Sequence, residues 1–255
     1  MLNLFIITMS ASLLIFLIAF LIAVLIRNNS IVDIIWGLGF VIIALIAFLF
    51  SVPSIASQIV FVYVSIWGIR LVVHLTLRNW GKGEDFRYQA MRQKWGKHWV
   101  LNSFFQVFIF QWLLMQLVAV PIVLTMTGKS AISPIFLFLG MALWLTGFFF
   151  EVVGDWQLNQ FKKKKSNKGK LMTTGLWSLT RHPNYFGEAT LWWGIVFLAY
   201  GVTHNYLVFI GPLTIDFLLL FVSGIPLLEK KYQGRADWRA YAKATPAFFP
   251  KIKVG

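Results

Sequence analysis

Residues 2–26 read LNLFIITMSASLLIFLIAFLIAVLI, an apolar run without a single charged side chain. About 20 such residues cross the hydrocarbon core of a bilayer when they form an α-helix. The run has neither a basic leader nor a small-residue cleavage pattern, and it is too long for the core of a signal peptide. We therefore expect a helix that spans the membrane and stays in the protein.

Six further apolar runs follow along the chain. They are continuous, without alternation of polar and apolar positions, which favours helices over the strands of a membrane barrel. Hydrophobic residues make up 58% of the 255 residues and charged residues 13%, which is more apolar surface than one soluble core could bury. The sequence thus predicts an all-α polytopic membrane protein with about seven transmembrane helices. The six runs are Ile31–Phe50, Gln58–Leu77, Val100–Met126, Ile132–Val153, Ala189–Thr203 and Tyr206–Leu228.

The basic residues are distributed unevenly between these runs. Of the 23 Lys and Arg residues, all but Arg70 and Lys129 fall on one side if seven helices cross. Because cytoplasmic loops carry the positive excess, we expect the N-terminus outside and the C-terminus in the cytosol. The formal net charge of +14 is therefore interpreted as a topology signal, and no nucleic-acid partner is predicted.

Several familiar motifs are absent from the sequence. The chain has no cysteine, which excludes disulfides, thiolate nucleophiles and Cys-ligated zinc, and we expect no metal centre. It also has no GxGxxG or P-loop pattern. Any nucleotide must therefore bind outside the Rossmann and Walker geometries.

Ionisable residues lie within or beside the predicted spans. Asp33 opens the second span, and Arg70 and His74 are four residues apart in the third, so the latter two share a helix face. Glu151 and Asp155 share a face at the end of the fifth span. Charged groups in a bilayer are costly, and they usually face a cavity or pair with one another. They indicate either a polar cavity that opens toward the cytosol or interhelical ion pairs, such as Asp33 with Arg70.

The most specific pattern follows the fifth span. Residues 151–194 read EVVGDWQLNQFKKKKSNKGKLMTTGLWSLTRHPNYFGEATLWWG, with the motifs GLW at 175–177 and RHPNYFGE at 181–188. Together with Asp33 and the GKGEDFRY segment at 81–88, this pattern resembles the membrane-embedded steroid 5α-reductase superfamily, especially its bacterial DUF1295 branch, and more distantly the isoprenylcysteine carboxyl methyltransferases. The resemblance covers most of the chain and implies an integral protein of the bacterial inner membrane, with its site facing the cytosol.

In the reductases the C-terminal part of this pattern forms a cradle for NADPH. By resemblance, Asp155 corresponds to an acidic group near the nicotinamide and ribose. Lys162 and Lys170 correspond to basic positions near the phosphates. Asn184 and Glu188 correspond to the residues that hold the nicotinamide end. The other cofactor-binding candidates that the resemblance implies are Glu151, Arg181, His182, Tyr185, Glu229 and Tyr232.

The N-terminal half departs from the reductase pattern, since the Glu and Tyr with which those enzymes polarise their substrate have no clear counterparts here. A conjugated carbonyl must nevertheless be polarised or protonated by some side chain. We expect residues 1–130 to form the substrate side and residues 131–255 the cofactor-binding half of a single membrane domain. The groups available for the catalytic role are Asp33, Arg70, His74 and Tyr88.

Three functions fit the sequence. The first is an NADPH-dependent reductase of an activated C=C bond in a lipid or steroid-like substrate, similar to a 3-oxo-5α-steroid 4-dehydrogenase. The second is a membrane methyltransferase that uses S-adenosylmethionine, since such enzymes share the Arg-His-Pro-x-Tyr segment. They typically carry paired glutamates where this chain has Leu228-Glu229-Lys230, which favours the reductase. The third is a non-enzymatic lipid-binding protein.

Overall fold

A computed structural model describes residues 2–51, 54–128 and 130–251. Lys129, which the orientation prediction places on the outer side, lies outside these residues. Throughout the described residues the regular structure is helical, without any strand. Six helices are long and apolar enough to cross a membrane. This confirms the predicted all-α polytopic fold, whereas the side on which each terminus lies stays a prediction.

The α-helices extend several of the predicted runs at their ends. Two of the membrane-crossing helices are composite, because π-helices at Phe104–Ile109 and Leu218–Val222 interrupt them. Short 3-10 turns lie at Gly96–His98, Lys165–Asn167, Gly175–Ser178 and Tyr206–Phe209. In chain order the α-helices are α1 (Leu2–Ile26), α2 (Ile31–Leu49), α3 (Ile55–Asn79), α4 (Phe86–Trp95), α5 (Trp99–Ser103), α6 (Phe110–Thr127), α7 (Pro134–Lys163), α8 (Pro183–Thr203), α9 (Ile210–Phe217), α10 (Ile225–Lys230) and α11 (Ala236–Ala244).

The sixth predicted run, Ala189–Thr203, lies in α8. This helix begins at Pro183, and proline is favoured in the first turn of a helix. Its side chains Leu191 and Trp192 are fully buried. Because the first six residues of α8 include Asn184 and Glu188, it is not among the six helices of the described chain that are apolar enough to cross a membrane. The sequence predicts about seven.

The chain divides into two compact units. Unit one comprises residues 1–133 and 198–211, and unit two comprises residues 134–197 and 212–255. Each unit contains its own cluster of polar residues.

Helix α2 is central to unit one and packs against α1, α3 and α6. Gly37 of α2 and Gly68 of α3 bring two backbones into contact, since a Cβ atom at Gly68 would lie 2.8 Å from the carbonyl oxygen of Gly37. Small residues allow such close approach between membrane helices. One turn away, the fully buried rings of Phe40 and Trp67 pack edge to face with 5.6 Å between centroids. These contacts fix α2 and α3 as the frame of the unit.

Glycines spaced seven residues apart join α7 to α8 in unit two. A Cβ atom at Gly147 would lie 2.5 Å from the carbonyl oxygen of Gly187, and one at Gly194 would lie 2.7 Å from that of Gly140. Gly154 continues the same row on α7. A seven-residue spacing returns to nearly the same helix face, so the two backbones stay in contact over several turns. The candidate residues on these helices are therefore carried by a rigid pair.

Candidate functional site

The first cluster surrounds the phenol of Tyr88 in unit one, and we call it the tyrosine cluster (Asp33, Arg87, Tyr88 and Gln111). Tyr88 is 5% exposed and donates a 2.7 Å hydrogen bond to Oδ1 of Asp33. Arg87 donates a 2.9 Å bond from Nη2 to the other oxygen of the same carboxylate. Gln111 donates from Nε2 to the phenol oxygen at 3.3 Å. The phenol is therefore fixed between a carboxylate acceptor and an amide donor.

The GKGEDFRY segment places Arg87 and Tyr88 in this cluster. Asp85 caps α4, since its Oδ1 accepts from the backbone N–H of Arg87 at 3.0 Å. Ser30 accepts from the backbone N–H of Asp85 at 2.7 Å, which docks the segment on the start of α2. Burial raises the pKa of the Asp85 carboxyl, but hydrogen bonds from Arg87 and its charge outweigh burial and hold the pKa below its usual value.

Glu84 anchors the same segment to the end of α1. Its Oε1 accepts 2.7 Å bonds from the backbone N–H of Asn29 and from Nη2 of Arg92. Arg92 also donates to the carbonyl oxygen of Arg27 at 2.6 Å. Arg87, Gln111, Glu84 and Arg92 were not predicted as site residues. The sequence signal for Glu84, Arg87 and Arg92 is a pair of acidic residues at 84–85 followed by basic residues at 87 and 92, and no comparable signal marks Gln111.

Arg70 and His74 lie one turn apart on α3, in the same unit as the tyrosine cluster. Both are half-buried, and each makes interactions of its own. Asp33 forms an ion pair with Arg87, because α4 brings a guanidinium close to the start of α2, which apolar periodicity does not reveal. The Asp33–Arg70 pair considered from the sequence stays a prediction.

The second cluster lies in unit two, and we call it the histidine cluster (Arg181, His182, Tyr185 and Glu229). Oε1 of Glu229 accepts from Nε of Arg181 at 2.8 Å and lies 3.0 Å from Nε2 of His182. The ring of Tyr185 stacks on His182 with 5.6 Å between centroids and 10° between planes. His182 is 4% exposed, and its Nδ1 has no hydrogen-bond partner among the described residues.

Arg181 ties the RHPNYFGE turn to the C-terminal tail. Its Nη1 donates to the carbonyl oxygens of Ala242 at 3.1 Å and Thr245 at 2.6 Å. Its guanidinium also lies over the ring of Trp238, 5.5 Å from the centroid. Nearby, the hydroxyl of Tyr241 donates to the backbone carbonyl of Trp177, and burial raises the pKa of Tyr241. Arg181 is thus committed to protein partners.

Asp155 and Asn184 meet across the α7–α8 pair. Nδ2 of Asn184 donates to Oδ1 of Asp155 at 3.3 Å. Gly154 lies beside this contact, and a Cβ atom there would be a tight 3.3 Å from the backbone nitrogen of Asn184. The GLW turn docks beside it, with Trp177 donating from Nε1 to the carbonyl oxygen of Gly154 at 3.0 Å and Gln157 accepting from the backbone of the turn. The structure therefore brings together two positions that lie far apart in the sequence.

The remaining cofactor candidates occupy three places in unit two. Glu151 is buried, one turn from Asp155 on α7, and Glu188 is half-buried, one turn from Asn184 on α8; both make interactions of their own. Lys162 and Lys170 are exposed near the end of α7 and beyond it. Tyr232 stacks on Trp238 in the tail, with 5.1 Å between ring centroids.

The polar groups of unit two include both hydrogen-bond donors and acceptors. The amide of Asn184 can do both and the carboxylates of Asp155 and Glu188 can accept, which is the combination that a carboxamide ligand needs. The buried Nδ1 of His182 is an orphaned polar atom, and such groups normally have a partner. Within the described residues no group of three or more His, Cys, Asp or Glu side chains could hold a metal ion.

Fold and sites together define a polytopic helical membrane protein with a buried tyrosine–carboxylate pair and a histidine–glutamate cluster. The chain belongs to the family described as "Protein of unknown function (DUF1295)", whose model matches residues 19–245. Over a segment of 74 residues it is 39% identical to the "Probable O-methyltransferase ustE" of Ustilaginoidea virens. This segment makes up 29% of the chain. The matched segment is 25% of that relative's length. No solved structure matches the chain.

Proposed function

We propose that this protein is a membrane-embedded reductase that uses NADPH to reduce an activated C=C bond in a lipid or steroid-like substrate. The observation that carries the proposal is the buried phenol of Tyr88, held 2.7 Å from Asp33. When a C=C bond conjugated to a carbonyl accepts hydride, charge develops on the carbonyl oxygen and must be stabilised by a fixed donor. A buried, oriented phenol supplies such a donor.

Within the tyrosine cluster the roles divide by geometry. Tyr88 turns its O–H from Asp33 to the substrate oxygen and donates the proton. Asp33 orients the phenol, and its pair with Arg87 keeps it an acceptor. Gln111 donates to the phenol oxygen and so stabilises the negative charge left there. Overall, the enone, NADPH and one proton give the saturated ketone and NADP⁺, and a solvent proton restores the phenol.

In unit two the cofactor would be held by side chains of two kinds. Asp155, Asn184 and Glu188 would bind the uncharged nicotinamide end, with His182 accepting from it at Nδ1. Lys162 and Lys170, together with neighbouring lysines, carry positive charge that suits the phosphates. The bound cofactor supplies the hydride. This proposal assigns substrate binding to residues 1–130 and cofactor binding to residues 131–255, at the cytosolic face of the bacterial inner membrane.

A second candidate is an S-adenosylmethionine-dependent methyltransferase, favoured by the partial similarity to a relative named as an O-methyltransferase. The charged residues of unit two also support the methyltransferase candidate. Arg181 is neutralised by Glu229, whereas Asp155 and Glu188 are acidic and would suit the cationic sulfonium of that cofactor. Methyl transfer has no need for the buried phenol of Tyr88 as an acid, and for that reason we place the reductase first.

Ligand-induced stabilisation separates the two candidates. A ligand that binds only the folded protein stabilises it by about 2.7 kcal/mol at a hundredfold excess over its Kd. We expect NADPH to raise the thermal unfolding midpoint of the purified full-length protein and Asn184→Ala to abolish this rise. Asn159→Ala, the same type of change on α7, should leave it intact. A rise with S-adenosylmethionine and none with NADPH would transfer the assignment to the methyltransferase.

A further inference from the structure

The surface of unit one holds an apolar groove that the proposed function does not use. Its volume is about 470 Å³, and it runs between α1 and the stretch from the 3-10 turn at Gly96–His98 to the π-helix. We propose that this groove binds an anionic phospholipid of the bilayer, with the phosphate at Lys97 and His98 and an acyl chain along the apolar residues. The lining residues are Phe20, Lys97, His98, Val100, Leu101 and Phe104.

Aromatic rings close one side of the groove. The ring of Phe20 lies 5.0 Å from that of Phe104 and 5.4 Å from that of Phe108, between centroids. Phe108 is 1% exposed, whereas Leu101 at the open side is 61% exposed. Phe20 precedes the end of α1 by six residues, which is about 9 Å along a helix. The groove therefore extends from the helix end into the hydrocarbon region, as an acyl chain requires.

A glycine turn brings two basic side chains to the mouth of the groove. Gly96 follows α4 with a φ of 51°, a conformation that favours glycine over other residues. Lys97 and His98 come directly after it, at the start of α5, and both are exposed. The turn thus sets an ammonium and an imidazole where apolar lining gives way to the membrane surface.

These two side chains differ from Arg87 and Arg92 of the same segment. Arg87 and Arg92 are held in ion pairs with carboxylates. In the parts of unit one that the structure describes, no carboxylate forms an ion pair with Lys97 or His98. Their hydrogen-bonding capacity is therefore directed to a group from outside the chain.

The chemistry of the groove selects an anionic lipid. A soluble phosphate would leave the apolar lining uncovered, and a zwitterionic headgroup would bring its own cation next to Lys97. Each Lys or Arg near an anionic membrane surface contributes about 1 kcal/mol to binding, which corresponds to about a fivefold change in affinity. The charge distribution of the sequence also predicts this end of α1 at the cytoplasmic leaflet, where anionic lipids attract basic segments.

The test is a native mass spectrometry titration of the full-length protein in detergent, with phosphatidylglycerol and phosphatidylcholine that carry the same acyl chains. We expect tighter binding of phosphatidylglycerol and about a fivefold loss of that preference in Lys97→Gln. Leu101→Ser should weaken both lipids. Lys243→Gln, which removes an exposed charge in unit two, should change neither.

Three results would overturn the proposal. They are equal affinity for the two lipids, equal effects of Lys97→Gln and Lys243→Gln, and displacement of phosphatidylglycerol by glycerol phosphate, which would show a site for soluble phosphates. Lys97 and Leu101 are exposed, so the variants should fold, and an unchanged thermal unfolding midpoint verifies this.

Discussion

Arg181 and Glu229 form a 2.8 Å ion pair that joins the RHPNYFGE motif to the C-terminal tail. The same carboxylate oxygen lies 3.0 Å from Nε2 of His182, so one glutamate fixes two consecutive residues of the motif. In consequence, Nδ1 is the remaining polar ring atom of His182. Asn184 follows two residues later, at the start of α8. The pair is thus a positioning element for the proposed cofactor site.

Glu229→Gln should destabilise the protein, because it leaves the Arg181 guanidinium, whose side chain is only 12% exposed, without its counter-charge. Loss of one partner of a buried pair costs about 3 kcal/mol or more, and the partial exposure of Glu229 reduces this to about 2 kcal/mol. Thermal unfolding in detergent measures the effect. Asp237→Asn is the control, since its pair with Arg235 is exposed and should contribute little. Equal losses in the two variants would refute a structural role for the Arg181–Glu229 pair.

Tyr88→Phe should lower the rate of hydride transfer by about a hundredfold while leaving NADPH affinity unchanged, because a positioned general acid contributes on this scale. NADPH oxidation with a panel of enone lipids and steroids measures the rate, and thermal stabilisation by NADPH measures the affinity. The exposed Tyr206 offers a control in Tyr206→Phe, which should retain full activity. Undiminished turnover in Tyr88→Phe would remove Tyr88 from the mechanism.

Helices α1 and α8 differ in how well the sequence predicts them. The run at 2–26 is apolar, uncharged and long enough to span a bilayer, so length and composition suffice to predict the helix. Helix α8 is largely buried and begins at Pro183, six residues before the apolar run that starts at Ala189, because an apolar-run criterion does not detect its polar N-terminal residues.

The contacts of the candidate site could not be predicted from the sequence. Asp33 and Tyr88 could each be suspected from the cost of polar groups near a bilayer, but their 2.7 Å bond joins residues 55 positions apart. Such a contact depends on how α4 docks on α2, which no local pattern encodes. For the same reason Arg87, a surface cation by composition, could not be predicted as the partner of Asp33.

Gly187→Ala should destabilise the protein by about 2 kcal/mol, the usual range for overpacking. The new methyl group would lie 2.5 Å from the backbone nitrogen of Glu151 and from the carbonyl oxygen of Gly147, neither of which can move without shifting α7. Gly83→Ala is the matched control, because a Cβ atom there meets nothing within 4 Å. Thermal unfolding should separate the two variants, and a neutral Gly187→Ala would contradict the close packing of α7 and α8.

Stability should fall at alkaline pH through Tyr241. Burial raises the pKa of Tyr241 in the folded protein above its unfolded value of about 10. The folded state therefore holds the phenol proton more tightly, so this contribution is complete below about pH 10 and is lost as pH rises toward the folded pKa. Unfolding measured from neutral pH upward should show a shallower decline in Tyr241→Phe than in the wild type. Identical slopes would show that Tyr241 does not titrate with unfolding.

The central proposal, hydride transfer from NADPH to a lipid, is tested most directly by isotope tracing. Membranes that contain the protein are supplied with NADPH deuterated at the transferred position, and the extracted lipids are analysed by mass spectrometry. We expect deuterium in the saturated product of one lipid or steroid class with the wild-type protein and with Tyr206→Phe, and about a hundredfold slower incorporation with Tyr88→Phe. Absence of deuterium from every lipid, with transfer of a labelled methyl group from S-adenosylmethionine instead, would contradict the reductase.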